Sequence, residues 1–414
     1  MDELLKTAII DSNPWWKGGF PDVQVRQREM FLEIEKFMPK KQIIGIYGLR
    51  RVGKSYLLYH LIRQLLDGKA DPKSILYFSF DAFSQASLAD VLSSAGELAG
   101  QKPAFIFLDE VQKLPDWAEH VKRVYDLHHP KIVVSGSETL FFRKGSNESL
   151  AGRLFEFEAK PLSFGEYLQF RGIENKPLYE KEVKSALSHY LLSGGFPELV
   201  DENDPLFIRK YIKEGVIDKA IYRDIPKSFP IEDPAALEQI LNIIIANPGM
   251  MIDKAALGRE LGLYRATISK YLFYLEAAFL VKSLHNFSKN RSTSEKKLKK
   301  YHPGFSPLSL GPHEDSAYYG MAVEAVCACH AGAKFFWRTP QKDEVDIVLT
   351  TPLLPVEVKY RNRPDTGGMG KFFEKFGGKS GIVITKGDEG AMGAGTGKAR
   401  LVPLHKWLLE EKPV

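Results

Sequence analysis

The sequence predicts an α/β fold built on a parallel sheet, with helical sequence behind it and a second α/β segment at the carboxyl end. Three observations carry this. The apolar run IIGIY (43–47) meets a glycine-rich loop and then the leucine-spaced segment YLLYHLIRQLL (56–66), which reads as strand, loop, helix. Three more short apolar runs, ILYFSF (75–80), FIFLD (105–109) and KIVVSGS (131–137), alternate with helical or loop sequence, as parallel strands covered on both faces do. Near the end, VDIVL, PVEVKY and GIVIT return to strand character behind a helix at about 318–330.

Between these parts, from Pro161, the texture becomes aromatic and leucine-rich (SFGEYLQF, EVKSALSHYLLSGGFPELV), broken by Gly194, Gly195 and Pro197, and predicts a helical lid. From about Pro234 the pattern is ALEQILNIIIAN, DKAALGRELG, YRATISKYLFYLEAAF and LVKSL, that is helix, helix, turn, helix, strand. Gly262 sits in the turn, as a helix-turn-helix requires.

Composition bounds the function classes. With 414 residues, 44% of them hydrophobic and 26% charged, the chain is long enough for several packed domains and is neither disordered nor fibrous. The net charge of +5 is small against 57 basic residues, so it permits a polyanionic partner without requiring one. Cys327 and Cys329 can form no disulfide framework, and with His330 they lack the fourth ligand and two-residue spacer of a zinc site. The first residues lack the basic region and apolar core of a signal peptide, and no stretch of about 18 apolar residues occurs. The expectation is a cytoplasmic protein with no membrane partner.

Gly48-Leu-Arg-Arg-Val-Gly53-Lys54-Ser55 satisfies the phosphate-loop pattern in its confirming context, after an apolar strand and before a helix. The glycines let successive amides turn toward phosphate oxygens, and the helix amino terminus adds its positive end. Lys54 is expected to reach the β and γ phosphates of ATP, and Ser55 to ligate magnesium. Arg51, Val52 and Tyr56 complete the nucleotide-contacting stretch. Asp109 and Glu110 end FIFLDE at the carboxyl edge of a buried strand, where ligands of open α/β sheets bind. Asp109 is expected to hold magnesium through water and Glu110 to activate the attacking water. GAGTGKA (393–399) is a decoy: its glycine spacing is wrong and Ala399 replaces the magnesium-binding hydroxyl.

The ordered set GLRRVGKS (48–55), FIFLDEVQKLPDW (105–117), VVSGSE (133–138), AGRLFEFEAKPLSFGEYL (151–168), GGFPE (194–198), YRDI (222–225), EVDIV (344–348) and PVEVKY (355–360) resembles the archaeal and bacterial AAA-type ATPases in which a P-loop domain precedes a winged helix and a PD-(D/E)XK nuclease-like domain. The resemblance implies a P-loop core over 1–165, a helical lid over 166–232, a winged helix-turn-helix over 233–287 and a restriction-endonuclease-like α/β domain over 305–414, with residues 288–304 between them polar and basic, a linker or an exposed strand. It also implies that Ser135 or Ser137 senses the γ phosphate, and that Arg153 is an arginine finger, within the subunit or across the interface of a homo-oligomer. Trp15 and Trp16 fall where the family brings its amino-terminal segment near the adenine, though core packing is the commoner fate of tryptophan.

Ile268, Leu272, Leu275 and Phe279 recur at helical spacing, which leaves Arg265, Thr267, Ser269 and Lys270 for solvent and suits a recognition helix in the major groove of DNA. Between Lys289 and Lys300 six basic residues (Lys289, Arg291, Lys296, Lys297, Lys299 and Lys300) face one acidic residue, Glu295, an excess that favours phosphate neutralisation.

Glu344-Val-Asp346 and Glu357-Val-Lys359 alternate charged and apolar residues, so a hairpin of the two strands would bring Asp346, Glu357 and Lys359 together. Asp346 and Glu357 could bind magnesium, and Lys359 could stabilise charge on a scissile phosphate. Glu324 resembles the nuclease fold's first acidic position. The leading expectation is an ATPase that couples turnover to DNA binding or processing, with possible magnesium-dependent cleavage. The rival is an ATP-dependent signalling switch in which the winged helix and terminal domain only pack or recruit a protein.

Overall fold

The computed structural model describes residues 2–22, 26–81, 83, 86–137, 150–290, 298–312, 316–361 and 364–410. They divide into two units, Met1–Lys160 and Pro161–Val414. In the first, α1 (Asp2–Ser12) and α2 (Glu29–Glu35) precede β1 (Ile43–Gly48), α3 (Lys54–Asp67), β2 (Ile75–Ser79), α4 (Leu88–Ala99), β3 (Phe105–Asp109), α5 (Trp117–His128), β4 (Lys131–Gly136) and β5 (Leu154–Ala159). All five strands are parallel, in the order β2-β3-β4-β1-β5. The three inner strands are apolar runs because helices cover both faces: Ile44, Ile46, Ile106, Phe107, Leu108, Val133 and Val134 are all buried. Each such side chain contributes about 1.5–3 kcal/mol by leaving water. The leucine spacing in α3 is explained the same way, since Leu57, Leu58, Leu61 and Ile62 form its buried face.

The fifth strand was not among the four runs expected. LFEFEA alternates apolar and acidic residues because β5 is an edge strand, with Phe157 and Ala159 buried and Phe155, Glu156 and Glu158 exposed. The opposite edge, β2, is covered by the segment after α1. Buried Asn13 accepts from the Tyr77 amide at 2.7 Å and donates to its carbonyl at 2.9 Å, standing in for a strand partner.

The second unit opens with α6 (Phe164–Phe170), started by a capping box of Ser163 and Glu166, and α7 (Glu180–Ser193), ended by Gly194 at φ 67°. Helical and π-helical turns follow, the latter over Tyr211–Ile217 and Ala220–Asp224. Then come α8 (Pro234–Ala246), β6 (Met250–Met251), α9 (Lys254–Leu261), α10 (Arg265–Ala277), β7 (Val281–Asn286), β8 (Lys300–Pro303), α11 (Ser316–His330), β9 (Phe335–Arg338), β10 (Glu344–Thr350), β11 (Leu353–Lys359), α12 (Met369–Phe376), β12 (Ser380–Thr385), β13 (Gly390–Ala394) and β14 (Gly397–Pro403).

The turn between α9 and α10 depends on glycine twice. Gly262 caps α9 at φ 67°, and a Cβ on Gly258 would lie 2.5 Å from the Leu263 carbonyl oxygen. One mixed sheet of nine strands, ordered β13-β14-β12-β11-β10-β9-β7-β8-β6, runs through the regions expected to be the winged helix and the terminal domain, because β7 pairs in parallel with β9. Residues 288–304, expected to be a linker or an exposed strand, end in a strand that is buried. Lys300 there is buried, since a lysine's aliphatic stem packs well once its ammonium finds carboxylates. The decoy at 393–399 is the β13–β14 hairpin, with Ala394 opposite Gly397. Among the described residues no helix is long and apolar enough to cross a membrane.

Candidate nucleotide site and a buried carboxylate cluster

Parallel strands put the carboxyl ends of β1, β3 and β4 on one edge of the first sheet, and the candidate ATP site is built there. Gly48 closes β1 against β5: a Cβ on it would lie 2.0 Å from the Ala159 carbonyl oxygen, so no other residue fits. Arg51 (φ 63°) and Gly53 (φ 92°) are both left-handed and flank buried Val52, a turn geometry that aims successive amides into one concavity. Buried Lys54 donates to the Gly48 and Leu49 carbonyls at 3.0 Å each. Tyr56, expected beside the nucleotide, is half exposed on the first turn of α3.

Ser55 Oγ donates to Asp109 Oδ2 at 2.6 Å. These two oxygens, a hydroxyl and a carboxylate, form the hard-donor pair that suits magnesium, so the residues present fit that ion. Tyr77 also donates to Asp109 Oδ2, at 3.0 Å, and its phenol is raised far above its ordinary pKa by burial and by the Asp109 carboxylate. It therefore stays a donor. Glu110 follows in a left-handed conformation, φ 51°, which turns its side chain off the strand line. Its carboxylate accepts from Ser137 Oγ at 3.0 and 3.2 Å, and also from the Gln112 amide. Ser135 Oγ donates to Asp109 Oδ1. The two serines expected to sense the γ phosphate thus each hold one carboxylate.

One expectation meets a geometric limit. Ile43 pairs with Leu154 and Gly48 with Ala159, so Arg153 sits at the amino-terminal edge of the sheet while the phosphate loop is at the other. Five residue steps of strand, about 17 Å, separate the edges. Arg153 cannot act on the phosphate of its own subunit; its Nε donates to Asp126 Oδ1 at 3.0 Å. Trp15 and Trp16 both donate from Nε1 to the carbonyl of Ile75, at the amino-terminal end of β2, as the core-packing reading expects.

Sequence reading missed Arg28. Its guanidinium is buried and donates to Val52 O at 2.8 Å and Lys160 O at 2.9 Å, tying the phosphate loop to the chain just after β5. No motif marks it, because its partners are backbone carbonyls remote in sequence.

In the second unit β10 and β11 form the antiparallel hairpin expected, with Ile347 opposite Val356. Asp346 Oδ2 accepts from the Val358 amide at 2.9 Å, and Glu357 Oε1 from Lys359 Nζ at 2.5 Å. Glu324 reaches the same place from α11. The surprise is Lys300 of β8, whose Nζ lies 2.5 Å from Glu324 Oε1, 2.6 Å from Glu344 Oε1 and 3.4 Å from Asp346 Oδ1. Burial, with Asp346 nearby, pushes the Glu324 carboxyl up to about 8, against the pull of Lys300. Glu357 is raised well above the usual carboxylate range by burial and then by Asp346. His302, fully buried, is held neutral by burial and the charge of Lys300. Cys327 packs in the core, its thiol raised by burial. Among the described residues no three His, Cys, Asp or Glu side chains are arranged to hold a metal ion.

On α10, Ile268, Leu272 and Leu275 are buried, while Phe279 lies beyond the helix and is only half-buried. Arg265 and Lys270 are exposed, Thr267 and Ser269 half-buried, and Tyr264 ahead of them is 85% exposed, an aromatic that the polar pattern did not single out. Arg291, Lys296 and Lys297 lie outside the described residues.

Residues 40–168 match the family described as an AAA domain, and residues 184–303 match a domain of unknown function (DUF8612). The chain is 32% identical over 281 residues to the uncharacterized protein MJ1544 of Methanocaldococcus jannaschii, covering 64% of this chain and 61% of that one. It is 28% identical over 264 residues to an uncharacterized protein of Haemophilus influenzae, covering 61% and 65%. With the uncharacterized protein MJ1637 of M. jannaschii it shares 25% identity over 441 residues, covering 94% and 89%. The chain thus spans under two thirds of the length of the first two relatives. The phosphate loop, the carboxylate pair and the five-stranded parallel sheet that holds them all lie within the residues that match the AAA domain.

Proposed function

We propose that this chain hydrolyses ATP and couples the turnover to DNA bound by its second unit. The observation that carries the first half is Glu110, held by Ser137 and Gln112 at the end of β3, beside Asp109 and its hydrogen bond to the phosphate-loop Ser55. A nucleotide binder without hydrolysis would need the loop and Asp109 but no oriented second carboxylate. Lys54 draws charge from the β and γ phosphates, the loop amides bind and orient them, and Glu110 takes a proton from the attacking water. Magnesium, held through Ser55 and Asp109, would neutralise phosphate charge as the leaving oxygen departs.

The DNA half rests on α10, read as the recognition helix of a winged helix-turn-helix, with Arg265 and Lys270 exposed near its start and Tyr264 ahead of them. An assembly of copies, with Arg153 reaching the phosphate of a neighbour, is the remaining way for that arginine to act as a finger. ATPase assays on single-stranded, duplex and branched DNA at two salt concentrations test the reading. DNA-stimulated turnover and salt-dependent binding are expected, whereas a protein-recruiting switch shows neither. Cleavage of DNA by Glu324, Asp346, Glu357 and Lys359 is the second reading, favoured by their convergence and opposed by the position of Lys300.

A further inference from the structure

The residues of the carboxylate cluster are those a nuclease-like fold would use for a divalent cation, yet they do not present themselves to one. Each has a cationic partner already. Glu324 and Asp346 face Lys300, Glu344 faces Lys300 and Arg338 (3.0 Å), and Glu357 faces Lys359. The Lys300 ammonium lies within 3.4 Å of three carboxylate groups that arrive from α11 and β10, the arrangement a bridging metal ion would otherwise have.

The centre of the cluster is also closed, with Glu344 and Lys359 half-buried at its rim. Lys300 is 4% exposed, Asp346 8% and Glu357 2%, which leaves little room for a scissile phosphate to meet them. Backbone seals it from two sides. A Cβ on Gly249, in the turn before β6, would come within 3.2 Å of Glu324 Oε1, and one on Gly367 within 2.0 Å of Glu357 Oε1. Gly249 (φ 84°) and Gly367 (φ 49°) have the left-handed backbone that permits this approach.

We infer that Lys300 replaces the metal of this cluster, so that Lys300, Glu324, Glu344 and Asp346 form a metal-free ionic lock joining β8 to α11 and β10. The lock holds together the two regions through which the nine-stranded sheet runs. Removing one partner of such a buried set leaves uncompensated charge, which a divalent cation can then satisfy.

The test is manganese titration of the full, nucleotide-free chain by calorimetry, with melting temperature as a second readout. The wild type is expected to give the same isotherm as Asp346→Asn and as Glu357→Gln, and to show no manganese-dependent rise in Tm that those variants lose. Lys300→Gln, one atom shorter and uncharged but still polar, is expected to melt lower. It should gain one saturable manganese site, recover part of its Tm in manganese, and lose the gain when Asp346→Asn is added. Manganese binding by the wild type that Asp346→Asn abolishes overturns the inference, because the ammonium would then yield to the metal. So does a folded Lys300→Gln chain that gains no site. If Lys300→Gln fails to fold, the wild-type comparison alone decides.

Discussion

Ser55 Oγ and Asp109 Oδ2 lie 2.6 Å apart although 54 positions separate them, so the first turn of α3 and the last residue of β3 meet at one point. The contact sets the phosphate loop against the carboxylate edge of the sheet, and it places Glu110, one residue on, beside the same loop. In the proposed mechanism, binding and chemistry fall to different side chains.

Lys54→Ala should abolish hydrolysis, since the phosphates lose their cationic partner. Glu110→Gln should keep ATP binding and lower kcat by about 10²-fold or more, the usual share of a general base. Fluorescent-nucleotide binding and steady-state turnover measured on the same samples separate the two effects. Wild-type turnover in Glu110→Gln would remove the water-activating role.

Arg28→Met should release the loop from its two carbonyl anchors and raise KM for ATP about tenfold, with a smaller change in kcat, because the loop loses order before the chemistry is touched. Arg28→Lys, with one cationic head for two acceptors, should fall between. Equal losses in kcat and kcat/KM would place the arginine in the transition state instead.

Arg153→Ala should leave melting within about 1 kcal/mol of wild type, since the pair with Asp126 is exposed on both sides. If the arginine serves a neighbouring copy, the variant should be inactive alone, and mixing it with Glu110→Gln should restore part of the turnover, each mutant spoiling a different half of a shared site. Full activity of the wild type as a dilute monomer would end that reading.

Arg265→Ala and Lys270→Ala should each weaken DNA binding and, where the lost contact is to phosphate, reduce the slope of log affinity against log salt by about 1. Fluorescence anisotropy over a salt series reads both quantities. Unchanged affinity and slope in the double variant would move the DNA surface off α10.

The phosphate loop, Asp109, Glu110 and the Asp346–Glu357 hairpin were legible in the sequence because each is a local pattern: a glycine turn between strand and helix, a carboxylate at a strand end, an alternation of period two. Long apolar runs exposed the inner strands for the same reason. β5 escaped because an edge strand is half polar, and only its pairing with β1 shows it to be a strand. What the tertiary structure alone decided depends on residues far apart in sequence. The parallel register put Arg153 on the wrong edge for its own phosphate, and two remote carbonyls made Arg28 a brace. Lys300 is the clearest case. By composition it is one of six basic residues in a polar stretch, and charge density alone predicts solvent. Folded, it has Glu324, Glu344 and Asp346 around it, and in a buried setting the attraction of three carboxylates outweighs the water it gave up.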